Sequence, residues 1–302
     1  MKLKLTEDLI QPFLPPELER ATFEEAALSC FGHIPTLMLT AWRVKHRVEP
    51  FLYRVAFTKS PTRRPTRDPE LKSYVAREIF LQKLDGQSSV EVALAVRHLF
   101  CDLGAQDLKT TLIACNGITD LYILGVVKND ILPILEGLQN LRRLTMVMQT
   151  LLEPKSMQLG YEFYTRLTHL ELLACEFYGS SDLNLTGLDF FSNLTHIAFN
   201  LDDPNGAAAV HDRIRRDSKL QCIVFFEPVD PIREALDDRF VVIRQTDYAE
   251  EWLRGAIVGK DYWWLAKQFL AAKRAGDVDR TLCYRITDNA GVSWECETPD
   301  GQ

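Results

Sequence analysis

The sequence predicts an α/β chain in which short parallel strands stack side by side and helical or looped segments return between them. Three observations predict it. A short phrase recurs, an apolar residue, two variable ones, then two apolar positions a residue apart, with copies starting at Val96, Ile118, Leu141, Leu167 and Leu194 and looser ones at Leu220 and Phe240. Successive starts lie roughly 20 to 27 residues apart, the length of one strand plus its return. The intervals Ala105–Asn116, Asp130–Gln139, Asp189–Asn193 and Gly206–Ser218 mix helix formers with Gly and Asn at their ends, which suits short returns.

In so apolar a chain the phrase alone recurs by chance, so the spacing carries the inference. The spacing lies in the range of leucine-rich repeats and points to an irregular solenoid, because a unit this small can bury its apolar strand positions only against its neighbours. Regular repeats place an Asn a few residues after the strand to satisfy backbone groups at the turn. Here those places hold Gly104, Val126, Gln149, Cys175, Asp202 and Pro228, so the stack should curve variably and satisfy its backbone through local turns. An ordinary α/β domain with a parallel sheet is the alternative.

The N-terminal segment, residues 1–58, reads as a small helical unit. Leu14-Pro15-Pro16-Glu17-Leu18 places proline at a helix start, and Leu18, Phe23, Ala26 and Ala27 give that helix a narrow apolar face to about Ser29. Thr36 can cap a second helix on which Leu37, Ala41, Val44 and Val48 recur at helical spacing until Glu49-Pro50 stops it. Phe51, Tyr53, Val55 and Phe57 then alternate like a strand, with a helical turn over 51–54 as the alternative. A unit of this size buries little area alone and needs the repeats or a partner to lean on. Residues 59–70, with Arg63, Arg64 and Arg67 among Pro61, Pro65 and Pro69, read as a solvated linker in preference to a nuclear-localisation signal.

Residues 71–248 hold the repeats, and strand alternation divides their side chains between two faces. Leu99 and Cys101, Leu121 and Ile123, Leu170 and Leu172, and Ile197 and Phe199 are expected to point inward. The exposed concave row is then His98, Phe100, Asp120, Tyr122, Arg143, Thr145, His169, Glu171, His196 and Ala198, with Val224 and Phe226 beyond. Aromatic, Arg and His side chains of this kind suit a protein-binding surface, the alternative being an ordinary solvated face. His169 and His196 would stand about 5 Å apart beside Glu171. A zinc site needs three or four convergent ligands, and this pair reads better as hydrogen-bonding surface, so no metal or other cofactor is expected.

Residues 249–302 read as an aromatic-rich cap. Asp261 can start a helix with Tyr262, Leu265, Ala266, Phe269 and Leu270 on one face, Lys273 and Arg274 near its negative end and Gly276 as its stop. Such a helix would seal the open flank of the last repeat. A helix lying in a membrane surface is disfavoured for want of a dense Lys/Arg row. Thr281–Thr287 add a last strand, and the end from Pro299 frays.

Composition narrows the function. The 302 residues are 46% hydrophobic and carry a net charge of −7, so no broad basic field exists to hold nucleic-acid phosphates. No apolar run suits a signal peptide or a bilayer span. Seven Cys without a CxxC pair suit reduced thiols in a cytoplasmic or nuclear compartment, with Cys101, Cys115 and Cys175 as small core residues. Nucleophile-elbow, phosphate-loop, dinucleotide and HExxH patterns are missing, and the Asp202-Asp203 and Asp237-Asp238 pairs read as turn polarity. No enzyme is expected, although a catalytic trio drawn from distant residues would leave no local trace.

Leu14-Pro15-Pro16-Glu17-Leu18, Phe23, Pro35-Thr36-Leu37 and the run Val44–Val48 resemble an F-box. The longer phrase from Leu14 to Glu49-Pro50-Phe51-Leu52-Tyr53-Arg54-Val55 is similar to the opening of a group of fungal F-box-like proteins. Val96–Leu99, Leu167–Leu170, Leu194–Ile197 and Arg239–Val242 resemble that group's degenerate repeats, and Trp252 with Asp261-Tyr262-Trp263 resembles its C-terminal end. Thr22 and Ala26-Ala27 are smaller than the F-box pattern carries at those places. The resemblance implies a substrate-recognition adaptor of a Skp/cullin/F-box ubiquitin ligase. Leu14, Pro15, Leu18, Phe23 and Leu37 would dock on a Skp-type adaptor protein, and the strand row would hold an unknown target protein. A repeat scaffold without adaptor docking, whose N-terminal helices only cap the first repeat, is the alternative.

Overall fold

The computed structural model describes residues 14–58, 74–85, 89–125, 129–152, 160–173, 186–200, 210–226, 237–244, 247–278, 283–286 and 294–297. Contacts divide the chain into two compact units, Met1–Tyr53 and Arg54–Gln302. The expected Pro/Arg linker at 59–70 lies outside the described residues, as do Cys175 and Asp202-Asp203. The break falls ahead of the strand Val55–Phe57, because that strand pairs with the sheet of the second unit.

The first unit is built from α1 (Pro16–Ser29), α2 (Ile34–Met38) and α3 (Trp42–Val48), followed by a 3-10 turn over Glu49–Tyr53. Pro16 sits where its missing N–H loses nothing, and the Glu19 N–H donates to Pro15 O at 2.9 Å to open α1. The expected second helix is two helices. Pro35 in the first turn starts α2 before Thr36, which is therefore inside the helix and not its cap. The Thr40 hydroxyl then donates to Leu37 O at 2.8 Å and Ala41 turns extended, which ends α2. The core is Ala27, Ile34, Val44 and Val48, with Phe23, Phe31, Leu37, Met38, Ala41, Phe51 and Leu52 packed around it. Glu19 is almost buried and ties α1 to α3, accepting from Arg43 Nη2 at 2.8 Å and Arg47 Nη1 at 2.9 Å.

The second unit is α/β, built on a sheet in which the described residues form 11 strands. They are β1 (Val55–Phe57), β2 (Val75–Ala76), β3 (His98–Cys101), β4 (Asp120–Ile123), β5 (Arg143–Val147), β6 (His169–Leu173), β7 (His196–Asn200), β8 (Cys222–Phe226), β9 (Phe240–Ile243), β10 (Cys283–Ile286) and β11 (Trp294–Glu297). Their order is β11-β10-β9-β8-β7-β6-β5-β4-β3-β1-β2, and every neighbouring pair is parallel except β10 with β11. The recurring anchors align strand by strand: Leu99, Leu121, Leu144, Leu170, Ile197, Ile223 and Phe240 are successive register partners, and all are buried. The returns include α4 (Arg77–Leu84), α5 (Ser89–Ala95), α6 (Ala105–Ala114), α7 (Leu132–Gly137), α8 (Met148–Leu151) and α9 (Phe163–Arg166), which carry buried Phe80, Leu108, Leu112, Leu132, Leu135 and Phe163.

Threonine hydroxyls brace the starts of three strands. Thr119, Thr168 and Thr195 each stand just before their strand, and their hydroxyls donate across to Arg97 O (3.1 Å), Arg142 O (3.2 Å) and Thr168 O (3.2 Å). Three guanidinium groups close the turns that lead into the strands. Arg97 Nη1 donates to Val96 O at 3.1 Å, Arg142 Nη1 to Gln139 O at 2.9 Å, and Arg239 Nη1 to Leu220 O at 3.1 Å. Asp237 is part of the same scaffold, accepting from the Arg239 N–H and Nε, as expected of turn polarity.

The C-terminal helices depart from expectation. α10 (Tyr248–Val258) opens on Asp247, which accepts from Ala249 N and Glu250 N, and closes on left-handed Gly259. α11 (Tyr262–Ala275) starts at Asp261, which accepts from Trp264 N, and stops at left-handed Gly276, both as the sequence predicts. The pair does not sit as a seal at the end of the stack, as the sequence reading expects. Ala249, Trp252, Leu253 and Ala256 of α10 pack on Val55, Phe57, Phe100, Tyr122, Val147 and Leu173, while α11 lays Tyr262, Trp263, Leu265, Ala266, Phe269 and Leu270 on Ala198, Cys222, Val224, Phe226, Val241 and Ile243. α10 and α11 thus lie on one face of β1 and β3–β9, whose described residues are buried on both faces apart from half-buried His98, Arg143, His169 and Asn200.

Candidate functional site

The residues that the sequence assigns to adaptor contact separate into two groups. Leu14, Pro15 and Leu18, around the start of α1, are exposed, with Leu14 at 40% and Leu18 at 56%. Phe23 and Leu37 are half-buried because they pack against the core of their own unit. Thr22 turns its hydroxyl back to Leu18 O at 2.8 Å, leaving a polar spot in the middle of the helix. Two apolar side chains that sequence reasoning did not select are more exposed still, Leu39 at 86% and Trp42 at 69%. The three-residue break between α2 and α3 carries Leu39, and Trp42 opens the helix that follows it.

The predicted recognition row is brought together as expected but is not a surface. Val55, His98, Asp120, Arg143, His169, His196 and Cys222 are register partners on successive strands, and Phe57, Phe100, Tyr122, Thr145, Glu171, Ala198, Val224 and Val241 form the parallel row two residues on. Phe100, Asp120, Tyr122, Thr145, Glu171, His196, Ala198, Val224 and Phe226 are buried, and His98, Arg143 and His169 are half-buried. The strand alternation is right; what it could not anticipate is that α10 and α11 lie over this face instead of at the end of the stack.

The covered row holds a chain of polar contacts. Arg143 sits between two carboxylates: its Nη2 donates to Asp261 Oδ2, and its Nη1 is 3.7 Å from Asp120 Oδ2, which also lies 3.4 Å from His98 Nδ1. Glu171 Oε2 accepts from Tyr262 OH at 2.9 Å and Thr145 Oγ1 at 3.0 Å. Its Oε1 is buried with no hydrogen-bond partner among the described residues. The His169 and His196 rings stack 4.1 Å apart beneath the edge-on Trp263, each with its Nδ1 beside the preceding threonine hydroxyl. The corner between α10 and α11 is tight, and a Cβ on Gly255 would come within 2.6 Å of Asp261 Cβ.

Burial sets the protonation states. Burial pulls His169 down to about 2 and His196 to about 4, each with help from neighbouring positive charge, so both rings are neutral. Burial pushes Asp120 up, but the Arg143 charge and the His98 hydrogen bond outweigh it and hold the carboxyl below its usual range. Burial likewise weakens the Arg143 charge, and the Asp120 and Asp261 carboxylates more than restore it. Glu171 goes the other way: burial pushes it up to about 7 against the hydrogen bonds from Tyr262 and Thr145.

A pH dependence follows. Glu171 binds its proton more tightly folded than unfolded, so it lowers stability as pH rises from its ordinary 4.5 to about 7 and adds nothing further above that. The histidines act oppositely, raising stability up to their ordinary 6.5. Glu171→Gln should therefore gain stability relative to wild type between pH 5 and 8, by on the order of 3 kcal/mol at most. Denaturant unfolding across that range checks it; parallel profiles for the two proteins would count against the assignment.

What the cluster can do is limited by space. Asp120, Arg143, Glu171, Trp252, Asp261 and Tyr262 help enclose a cavity of about 20 Å³, room for one water-sized group and not for a substrate. Among the described residues no group of three or more His, Cys, Asp or Glu could hold a metal ion. The cluster instead fixes helix on sheet, since Asp261 and Tyr262 find their partners in one register only. An open cleft of about 460 Å³ lies elsewhere in the body, lined by apolar Leu188, Leu194, Ile214 and Leu220 and by charges of both signs, among them Asp189, Arg213, Arg216 and Asp217. No helix among the described residues is long and apolar enough to cross a membrane. No family model matches this sequence, and no curated protein is significantly similar to it.

Proposed function

We propose that the chain is a non-catalytic adaptor of the F-box kind, whose N-terminal unit docks on a Skp-type adaptor protein while the α/β body presents a target protein to a ubiquitin ligase. The observation that carries this reading is the exposure of Leu14, Pro15 and Leu18 together on a separately compact helical unit. Monomeric surfaces carry scattered apolar side chains, but large ones gathered at the start of one helix suit a contact. The polar strand row is covered, so in this reading the target contacts another part of the body. Exposed Ile79, Val90, Leu94 and Ile113 on α4, α5 and α6 suit that duty.

The second reading, a scaffold without adaptor docking, is favoured by Phe23 and Leu37, two of the five matching positions, which serve the unit's own core. One experiment separates them. The full chain should capture a purified Skp-type adaptor, and Leu14→Asp combined with Leu18→Asp should abolish capture without changing the thermal unfolding of the α/β body. Equal recovery by wild type and double variant would leave the scaffold.

A further inference from the structure

We infer that the small cavity between α10 and the sheet is a binding site for one structural water, which accepts from the Trp252 indole N–H, donates to Glu171 Oε1 and so joins α10 to β6 through a polar bridge. Two orphaned groups of opposite character carry this. Glu171 is 2% exposed, and while its Oε2 takes the Tyr262 and Thr145 hydroxyls, its Oε1 accepts from nothing among the described residues. The Trp252 indole N–H is buried too and makes no hydrogen bond with the described residues, although it lies close enough to Asp120 to help hold that carboxyl down. A buried donor and a buried acceptor left in this way have each given up their hydration without a return.

Both residues line the same cavity of about 20 Å³, which has room for one water and is walled largely by polar side chains, the condition under which such a space is wet and not dry. The chemistry of the walls selects the guest. A cation would sit against the Arg143 guanidinium, which already answers Asp120 and Asp261. An anion would meet the carboxyls of Asp120, Glu171 and Asp261. A neutral group that both accepts and donates serves the indole N–H and the carboxyl oxygen at once, and at this volume that group is water. α11 is pinned to the strand row by Asp261 and Tyr262, and the water gives the tryptophan anchor of α10 a directional tie to the same strands.

A crystal structure of the full chain, at a resolution that shows ordered solvent, should place one water about 2.7–3.2 Å from both Trp252 Nε1 and Glu171 Oε1. Glu171→Met keeps the length of the side chain and removes the acceptor, so that water should be lost, while Glu171→Gln keeps a carbonyl oxygen and should retain it. Oxygen-17 relaxation dispersion gives a readout in solution: wild type and Glu171→Gln should hold one more long-lived internal water than Glu171→Met. A site without water, a side chain turned into the space, or contacts of about 2.3–2.6 Å that mark a cation would each overturn the inference. So would a water that keeps its place in Glu171→Met. The wild-type structure decides the matter even if a variant fails to fold.

Discussion

Arg143→Met should destabilise the α/β unit by about 3–5 kcal/mol, toward the lower end because the guanidinium keeps some contact with solvent. Methionine keeps the apolar stem and removes the charge, leaving Asp120 and Asp261 facing each other with nothing between them. Those carboxylates are only about a tenth exposed, so they can neither hydrate nor repel each other cheaply. Asp261 also caps α11, so its displacement would fray the start of the helix that covers β7, β8 and β9. Denaturant unfolding at neutral pH measures the loss. Adding Asp261→Asn to Arg143→Met should recover part of it, since Asn still caps Trp264 N while the stranded charge is gone. A single variant within about 1 kcal/mol of wild type would show that the pair is solvated and unimportant.

A loss of similar size, about 3–5 kcal/mol, is expected from Trp252→Ala. Trp252 is the anchor of α10, edge-on to Phe100 at 5.5 Å and 6.3 Å from Phe57. Beneath it Phe100 and Tyr122 stack at 4.5 Å, with Tyr248 of the same helix against both at 6.3 and 6.1 Å. Truncation opens a cavity too large to collapse and loosens the helix, so the variant should also bind a hydrophobic dye at temperatures where wild type does not. A drop of less than about 1 kcal/mol with no dye binding would mean that α10 is held by its flanks and not by its tryptophan.

Much of the architecture was legible in residues that are single-purpose. The apolar anchors from Leu99 to Phe240 align because their spacing admits one strand per return, and Asp261 and Gly276 mark the ends of α11 as caps do. The second covering layer was less legible, yet a signal existed. Cys222–Phe226 and Phe240–Ile243 are apolar at every position, the usual mark of strands buried on both faces, and alternation alone passed over this. Along β4, β5 and β6 the polar residues Asp120, Arg143, Thr145, His169 and Glu171 imitate a solvated face, because a buried ion pair and a buried hydrogen-bonded carboxyl look in sequence like surface. Gly255 gave no hint of its role; only the corner with Asp261 explains it. In the N-terminal unit the apolar period was correct, but the Thr40 back-bond that splits the second helix is a local competition that periodicity does not register.

The covering of β1, β3 and β4 by α10 has a consequence for how the protein is made. Synthesis delivers the strands first and their lid last, so Phe57, Phe100 and Tyr122 emerge from the ribosome with no helix to receive them. Translation at about 5–20 residues per second leaves that apolar strip bare for many seconds. Molecular chaperones that shield nascent hydrophobic strands would therefore matter more to this chain than to one whose repeats close as they appear.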